Sequence, residues 1–304
     1  MDRKKTSNHH GHLNRRSFLD AAGGGLAVGA IVETIRPSSA WGQQLAKETH
    51  PSSARVVDRL KTRLSFQISV DVGTLDLGLT VASAALAGGV DIVEMGTPLL
   101  KTQGVSNVVP AFRKRFPGAL LLADMKTMDG GAGEARSVYV GGGNIFDFLA
   151  LAGVDTAKSI CGVRDEFRRA GFELPRLVFS DIMVPHQGPA AQAGEVALRM
   201  VEAGVDAVGI HLQSDARHAN PKLIEDDYLG DVARAVFERV GKAAPVQVVG
   251  GLSIAQAKSL AKAGLRAFVI SGNMGVPDGN ARYNLPPADI QRLVAGFIAG
   301  VSGE

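Results

Sequence analysis

From Leu64 onward, short apolar runs alternate with longer segments in which apolar residues recur at helical spacing. The runs are Leu64–Val70, Asp91–Met95, Ala119–Ala123, Ile145–Leu151, Arg176–Ile182, Ala207–Leu212, Val246–Val249 and Ala267–Ile270. The helical segments between and after them are Leu75–Ala87, Val105–Phe116, Gly131–Val140, Thr156–Ala170, Ala190–Ala203, Asp226–Val240, Ile254–Ala263 and Pro287–Ala299. Continuous apolar runs, rather than alternating ones, belong to strands buried on both faces, as parallel sheets require. Gly-containing turns such as Ala203-Gly204-Val205-Asp206 close several helices and supply the left-handed residue that a helix C-terminus uses. Strand and helix alternate eight times over about 235 residues, the rhythm of an α/β protein of the (β/α)8 TIM-barrel class. A doubly wound open sheet is the alternative, but no G-x-G-x-x-G follows the first strand.

In such a barrel the chemistry lies at the carboxyl ends of the strands. The stretch Leu120–Asp129, LLLADMKTMD, runs from a buried strand into Asp124, Lys126 and Asp129. Charges there are costly unless they serve one another or a ligand. Asp71 ends strand 1, Glu94 strand 2, Asp181 strand 5 and His211 strand 6, with Asp215 shortly after; Gly250-Gly251 and Gly272-Asn273 end strands 7 and 8. Glu94 and Asp124, on adjacent strands, offer two hard oxygens to one divalent cation, for which Mg²⁺ is suited. Lys126, flanked by carboxylates, should stay protonated and present positive charge to a developing enolate; a Schiff-base role would need the opposite environment. His211 is the candidate proton donor and acceptor. The glycines after strands 7 and 8 suit a phosphate held by backbone N–H groups.

Composition narrows the partners. The 304 residues are 45% hydrophobic with a net charge of +3, enough apolar material for one large core. The basic residues Arg3, Lys4, Lys5, Arg15 and Arg16 crowd the first 16 positions, and no basic stripe with interleaved aromatics follows, so nucleic acid is not an expected partner. Cys161 is the single cysteine, which excludes an intramolecular disulfide and gives no support to a cysteine-based zinc site.

At the N-terminus, Asn14-Arg15-Arg16-Ser17-Phe18-Leu19 precedes a Gly- and Ala-rich apolar run and then Pro37-Ser38-Ser39-Ala40. A basic segment, a modest apolar stretch and a small-residue site describe an export signal and not a membrane span. The paired arginines resemble the twin-arginine signal. Residues 1–40 are thus expected to be a signal for the twin-arginine export machinery, 41–63 a linker with a short helix, and 64–304 the catalytic barrel. The expected location is exported or periplasmic, or cytoplasmic if the signal is not used.

Three segments carry a family resemblance: Gln67-Ile68-Ser69-Val70-Asp71, Val93-Glu94-Met95-Gly96-Thr97-Pro98-Leu99 and Ala123-Asp124-Met125-Lys126-Thr127-Met128-Asp129. They closely resemble the 3-hexulose-6-phosphate synthases of the orotidine 5′-phosphate decarboxylase superfamily, marked by D-x-K-x-x-D after strand 3. The resemblance spans roughly Leu64 to Ala299. It implies a lyase that reversibly adds formaldehyde to D-ribulose 5-phosphate through an enediolate. Glu94 and Asp124 would hold Mg²⁺, Asp71 and Lys126 would line the pocket, His211 would move the proton, and Asp129 would enter the partner's site in a homodimer with shared active sites. Asp181, Gly250, Gly251, Gly272 and Asn273 are the expected substrate and phosphate contacts.

The sister enzyme, 3-keto-L-gulonate-6-phosphate decarboxylase, carries an Arg where this chain has Ser214 and another where it has Asn273. Ser214 weakens the carboxy-lyase reading, and with Asn273 a phosphate would rely on backbone N–H groups and uncharged side chains. The stretch from Gln213 to Tyr228, with Arg217, His218 and Lys222, is longer than the family's usual loop. An exported sugar-binding barrel without turnover is the alternative from another class; the intact set of Asp71, Glu94, Asp124, Lys126, Asp129 and His211 argues against it.

Overall fold

A computed structural model describes residues 51–303, apart from 173, 188 and 226. The expected export signal, and the part of the linker before residue 51, lie outside the described residues. In order, the elements are α1 (Ser53–Thr62), β1 (Ser65–Val70), α2 (Leu75–Ala87), β2 (Ile92–Met95), α3 (Thr97–Gln103), α4 (Val105–Arg115), β3 (Leu120–Thr127), α5 (Gly131–Val140), β4 (Ile145–Leu149) and α6 (Gly153–Arg169). There follow β5 (Leu177–Val184), α7 (Ala190–Glu202), β6 (Ala207–Leu212), α8 (Ser214–Ala219), α9 (Lys222–Glu225), α10 (Tyr228–Val240), β7 (Val246–Val249), α11 (Ile254–Lys262), β8 (Ala267–Ile270) and α12 (Pro287–Ser302).

The eight strands pair in parallel, each with its sequence neighbours, and β1 closes on β8. This is the (β/α)8 barrel that the alternation implies. Helix ends turn where glycine permits it: Gly204 and Gly264 take φ of 96° and 106°, which side-chain-bearing residues rarely adopt. Among the described residues no helix is long and apolar enough to cross a membrane.

Two apolar clusters hold the barrel, and their separation follows from the strand period of two. The larger packs the outward-facing strand residues, such as Ile68, Val93, Leu121 and Phe146, against the surrounding helices. The smaller lies inside the barrel near its amino end, where Ile92, Leu122, Ile145, Leu177, Phe179, Ala207 and Ala267 meet Val56 and Leu60 of α1. The short helix expected within the linker is therefore present, but it is not a spacer. Its buried face seals the barrel's floor, and Ser53 Oγ donates to Arg176 O just ahead of β5.

Two differences from the sequence-based reading matter for the site. Strand β3 continues past Ala123 to Thr127, so Asp124 and Lys126 belong to the strand and not to a loop beyond it. Helices α3, α8 and α9 fill segments for which no helix is expected from the pattern, because each is too short to show a full apolar period.

Candidate active site

Inside the barrel, the residues above the apolar floor are polar and almost wholly buried. Gln67 Nε2 donates to Glu94 Oε2 at 2.5 Å, and Gln247 Nε2 donates to Gln67 Oε1 at 2.9 Å, so a chain of amides crosses the barrel beneath Glu94. Ser69 Oγ lies 3.2 Å from Glu94 Oε1 and 2.7 Å from Asp71 Oδ2. Tyr283, from the segment after β8, donates its hydroxyl to Ser69 O at 2.8 Å. Burial, together with the charge of Asp71, keeps that phenol protonated well above its ordinary range.

The carboxylates form the next layer. One oxygen each of Asp71, Glu94 and Asp124 lie within 4.8 Å of one another, and so do oxygens of Asp124, Asp147 and Asp181. Asp71 reaches water at the mouth, whereas Glu94 and Asp124 are buried. Thr97 Oγ1, at the start of α3, lies 2.7 Å from Asp124 Oδ2 and fixes that carboxylate. Burial, with Asp124 and Asp71 beside it, pushes the Glu94 carboxyl well above the usual carboxylate range. A carboxyl raised in this way by its like-charged neighbours is a site a divalent cation would relieve.

Lys126 stands over this layer because the backbone bends to put it there. The β3–β4 register shifts between Asp124 and Thr127, and Lys126 takes φ of 47°, a left-handed conformation costly for a side-chain-bearing residue. The bulge brings Nζ to 2.5 Å from Asp124 Oδ2. Burial alone would lower the ammonium's pKa; Asp124, Asp181 and Glu94 override it and drive it upward, so Lys126 remains a cation. That is the protonated lysine the flanking acids imply.

His211 Nδ1 lies 2.8 Å from Asp181 Oδ2 across the β5–β6 pair. Burial would raise the Asp181 carboxyl, but the hydrogen bond and charge of His211, with Lys126 adding, hold it below the usual range. An ionised Asp181 accepts the hydrogen bond from Nδ1–H and leaves Nε2 to exchange a proton with a ligand. Asp181, expected as a substrate contact, thus stands with His211.

Asp147 is the residue that the sequence reading missed. It sits on β4 level with Asp124, buried, with Oδ1 making no hydrogen bond. Burial first, then Asp181 and Asp124, push its carboxyl well above the usual range. A signal was present: in Ile145-Phe146-Asp147-Phe148-Leu149 it is the one charged residue in an apolar strand, at the inward-facing parity.

The remaining expected residues separate. Asp129 is exposed, its Oδ1 accepting from Gly130 N at 2.8 Å, and it does not join the cluster within this chain. Exposed Met128 and Leu151 lie on the neighbouring β3 and β4 loops. Asn273 is spent on the backbone: Nδ2 donates to Gly251 O at 2.9 Å and to Val276 O at 3.2 Å, clasping the β7 and β8 loops. Its amide N–H groups are therefore committed, while the backbone of Gly250, Gly251 and Gly272 remains at the rim. Cys161 is buried, and burial pushes its thiol up to about 11, which removes it as a nucleophile. A separate cavity of about 710 Å³ opens beside α1, lined by Val57, Lys61, Arg168 and Phe172 among others, and among the described residues no cluster of metal-ligating side chains converges on it.

With that geometry in place, comparison with known proteins is decisive at the level of family. Residues 64–272 match the model of the orotidine 5′-phosphate decarboxylase / HUMPS family. The chain belongs to that family. It is 29% identical over 205 residues to the 3-hexulose-6-phosphate synthase of Methylomonas aminofaciens, covering 67% of this chain and 87% of the relative. It is also 29% identical over 209 residues to that of Mycobacterium gastri, covering 69% and 90%. A crystal structure of a 3-hexulose-6-phosphate synthase superposes with a TM-score of 0.61 at 26% identity, over 77% of this chain and 99% of the other. A 3-keto-L-gulonate-6-phosphate decarboxylase structure from Streptococcus mutans shares the fold with a TM-score of 0.61 at 20% identity, over 78% and 98%. In this family member, Glu94, Asp124, Lys126, Asp181 and His211 converge on one rim.

Proposed function

We propose that this chain is a Mg²⁺-dependent aldehyde-lyase of the 3-hexulose-6-phosphate synthase type, joining formaldehyde to D-ribulose 5-phosphate and reversing that reaction. The observation that carries the reading is the pairing of a hard-oxygen cluster, with Lys126 over it, and an aspartate-held histidine on the same rim. The resemblance of the rim segments to these synthases and the two 29%-identical relatives of that name support it.

Glu94 and Asp124 would hold the cation, with Asp71 at its edge; the donor set is all oxygen and its like charges are under-compensated, which fits a hard dication. When bound, Mg²⁺ supplies positive charge to the substrate oxygens on which negative charge develops. Lys126 Nζ adds a fixed ammonium to the same face without giving up its proton. His211 Nε2 removes the proton from the ketose carbon that becomes nucleophilic. That carbon's electron pair forms the new bond to the formaldehyde carbon, and the aldehyde oxygen takes up a proton as its π bond opens. Asp181 keeps the imidazole in the tautomer this requires. In a homodimer, exposed Asp129 would enter the partner's site, the apolar Met128 and Leu151 lying beside it as part of the contact. Residues 1–40 would direct export through the twin-arginine machinery.

The test is formaldehyde consumption by purified protein with Mg²⁺ and ribulose 5-phosphate, with EDTA and Lys126→Ala as controls. Turnover that is lost with either control supports the reading; folded protein that consumes no formaldehyde at high enzyme concentration sinks it. A panel that includes sugar-acid phosphates reveals the carboxy-lyase alternative as CO₂ release. Export is tested separately by Arg15→Lys with Arg16→Lys: precursor that still leaves the cytoplasm would overturn that part.

A further inference from the structure

The rim that should hold the substrate's anionic end is short of charge. Asn273 stands in the β8 loop with its amide committed to carbonyls, and Gly250, Gly251 and Gly272 bring only backbone. Arg282, near the same loop, is neutralised by Asp278 and bonded to Asn273 O at 3.0 Å. Helix α11 begins just past Gly251, but Ser253 and Gln256 already close its first turn in a capping box. A dianion placed there would meet backbone N–H groups but no fixed cation from the loops themselves.

The missing charge arrives from a different element. Arg217, on α8 in the long segment after β6, lays its guanidinium over the β7 loop, with Nη1 3.4 Å from Gly250 O. A Cβ built on Gly251 would come within 1.9 Å of that nitrogen, so the guanidinium fills the space this glycine leaves. Gly251 has φ of 73°, a backbone conformation that favours glycine, and the guanidinium lies in the space its missing side chain leaves. Among the described residues Arg217 pairs with no carboxylate, and the single long bond to a carbonyl leaves most of its donors unused. The arginines of α10, the helix that follows this segment, are paired by contrast: Arg234 with Asp227 and Asp231, Arg239 with Glu195. A half-buried, unpaired guanidinium on a glycine loop is suited to bidentate recognition of a phosphate.

We propose that Arg217 binds the phosphate monoester end of the substrate over Gly250-Gly251, supplying from the segment after β6 the positive charge that the β8 loop lacks. The assignment rests on the reading that the substrate is a sugar phosphate, and it makes Arg217 the residue that selects phosphorylated over unphosphorylated sugars. The phosphate lies at the end of the substrate remote from the bond being made. Loss of the guanidinium should therefore weaken binding of substrate and transition state alike and appear in KM.

The experiment uses the full chain with Mg²⁺ and the variants Arg217→Gln and Arg217→Lys. Expected is a rise in KM for ribulose 5-phosphate of about 10–100-fold in Arg217→Gln with kcat within about threefold, and partial recovery in Arg217→Lys. The preference for ribulose 5-phosphate over ribulose should narrow by the same factor, a change that a merely structural role would not produce. A parallel arm needs no turnover: inorganic phosphate, against chloride of equal ionic strength, should raise the melting temperature of the parent protein and not of Arg217→Gln. Turnover with an unchanged KM in Arg217→Gln overturns the assignment and leaves the proposed reaction standing. If the parent protein shows no turnover, the phosphate arm decides. Stabilisation that Arg217→Gln loses then upholds Arg217 while the proposed reaction fails, and equal stabilisation of both proteins, or of neither, overturns Arg217.

Discussion

The two ends of the barrel handle charge in opposite ways. At the amino end, α1 seals an apolar interior, and the charged groups around it are clamps. Arg164 and Arg168 share Asp206, Arg59 holds Asp91, and Arg113 gathers Asn144 with the carbonyls of Pro117 and Ala119. Even Arg176, whose guanidinium burial lowers to about 9, is stacked near the rings of Tyr139 and Phe167 and bonded to Gly143 O at 2.5 Å. At the carboxyl end, Asp71, Glu94, Asp124, Asp147 and Asp181 face one ammonium and one imidazole, and two of the five are driven well above their usual range. One end uses charge to fasten strand starts to helix ends. The other crowds carboxyls that resist ionising beside one another and that a bound cation would relieve, the arrangement expected where stability and function occupy opposite faces.

Substitutions can break that contrast from either side. The largest effect should follow from Asp124→Asn, which removes a proposed cation ligand and the partner of Lys126. Activity with Mg²⁺ should fall by about 10³-fold or more while the protein still folds, with a lower melting temperature because Lys126 loses its nearest counter-charge. Asp181→Asn should cost about 10²–10⁴-fold in kcat by freeing His211 from its tautomer, again with little loss of fold. At the floor, Leu60→Ala should do the reverse and destabilise by about 2–4 kcal/mol, with kcat per folded molecule unchanged. If Leu60→Ala changed kcat severalfold at a temperature where the protein stays folded, the two ends would be coupled and the contrast would fail.

How much of this was legible in the sequence depended on whether polarity marks position. The fold was readable because each buried strand is a continuous apolar run and several helices end in a glycine turn, features that survive any detail of packing. Glu94, Asp124, Lys126 and His211 were readable because they terminate those runs. The same continuity hid what lay inside. In a barrel both faces of a strand are buried, so hydropathy does not tell inward from outward, and Asp147 passes as part of a run although Ile145, two positions before it on β4, also faces the interior. The floor role of α1 was hidden for another reason: Val56 and Leu60 are too few to mark a helix as core until the amino end of the barrel that receives them is seen. Arg217 reads in the sequence only as one of several basic residues in a long loop, and nothing short of the fold brings it to Gly251.

Asp147 offers the smallest and most discriminating effect, because its sign depends on its charge state. Its folded carboxyl titrates well above the ordinary value of 3.8, so between that value and its folded pKa the native state binds more protons than the unfolded one. Its contribution to stability is then fully present below about pH 4 and is lost as pH rises, the reverse of a salt-bridged aspartate. In metal-free protein kept in EDTA, Asp147→Asn replaces a neutral acid by a neutral amide of the same shape, and the wild-type decline toward alkaline pH should become shallower. At pH 8 the variant should melt higher by roughly 2–4 °C, the scale about 1 kcal/mol produces in a domain of this size, and at pH 4 the two should coincide. A variant that melted lower at pH 8 would mean that Asp147 is ionised and paired in the folded protein. The excess of negative charge that separates the rim from the floor would then be balanced from within the chain, without the cation that the proposed chemistry needs.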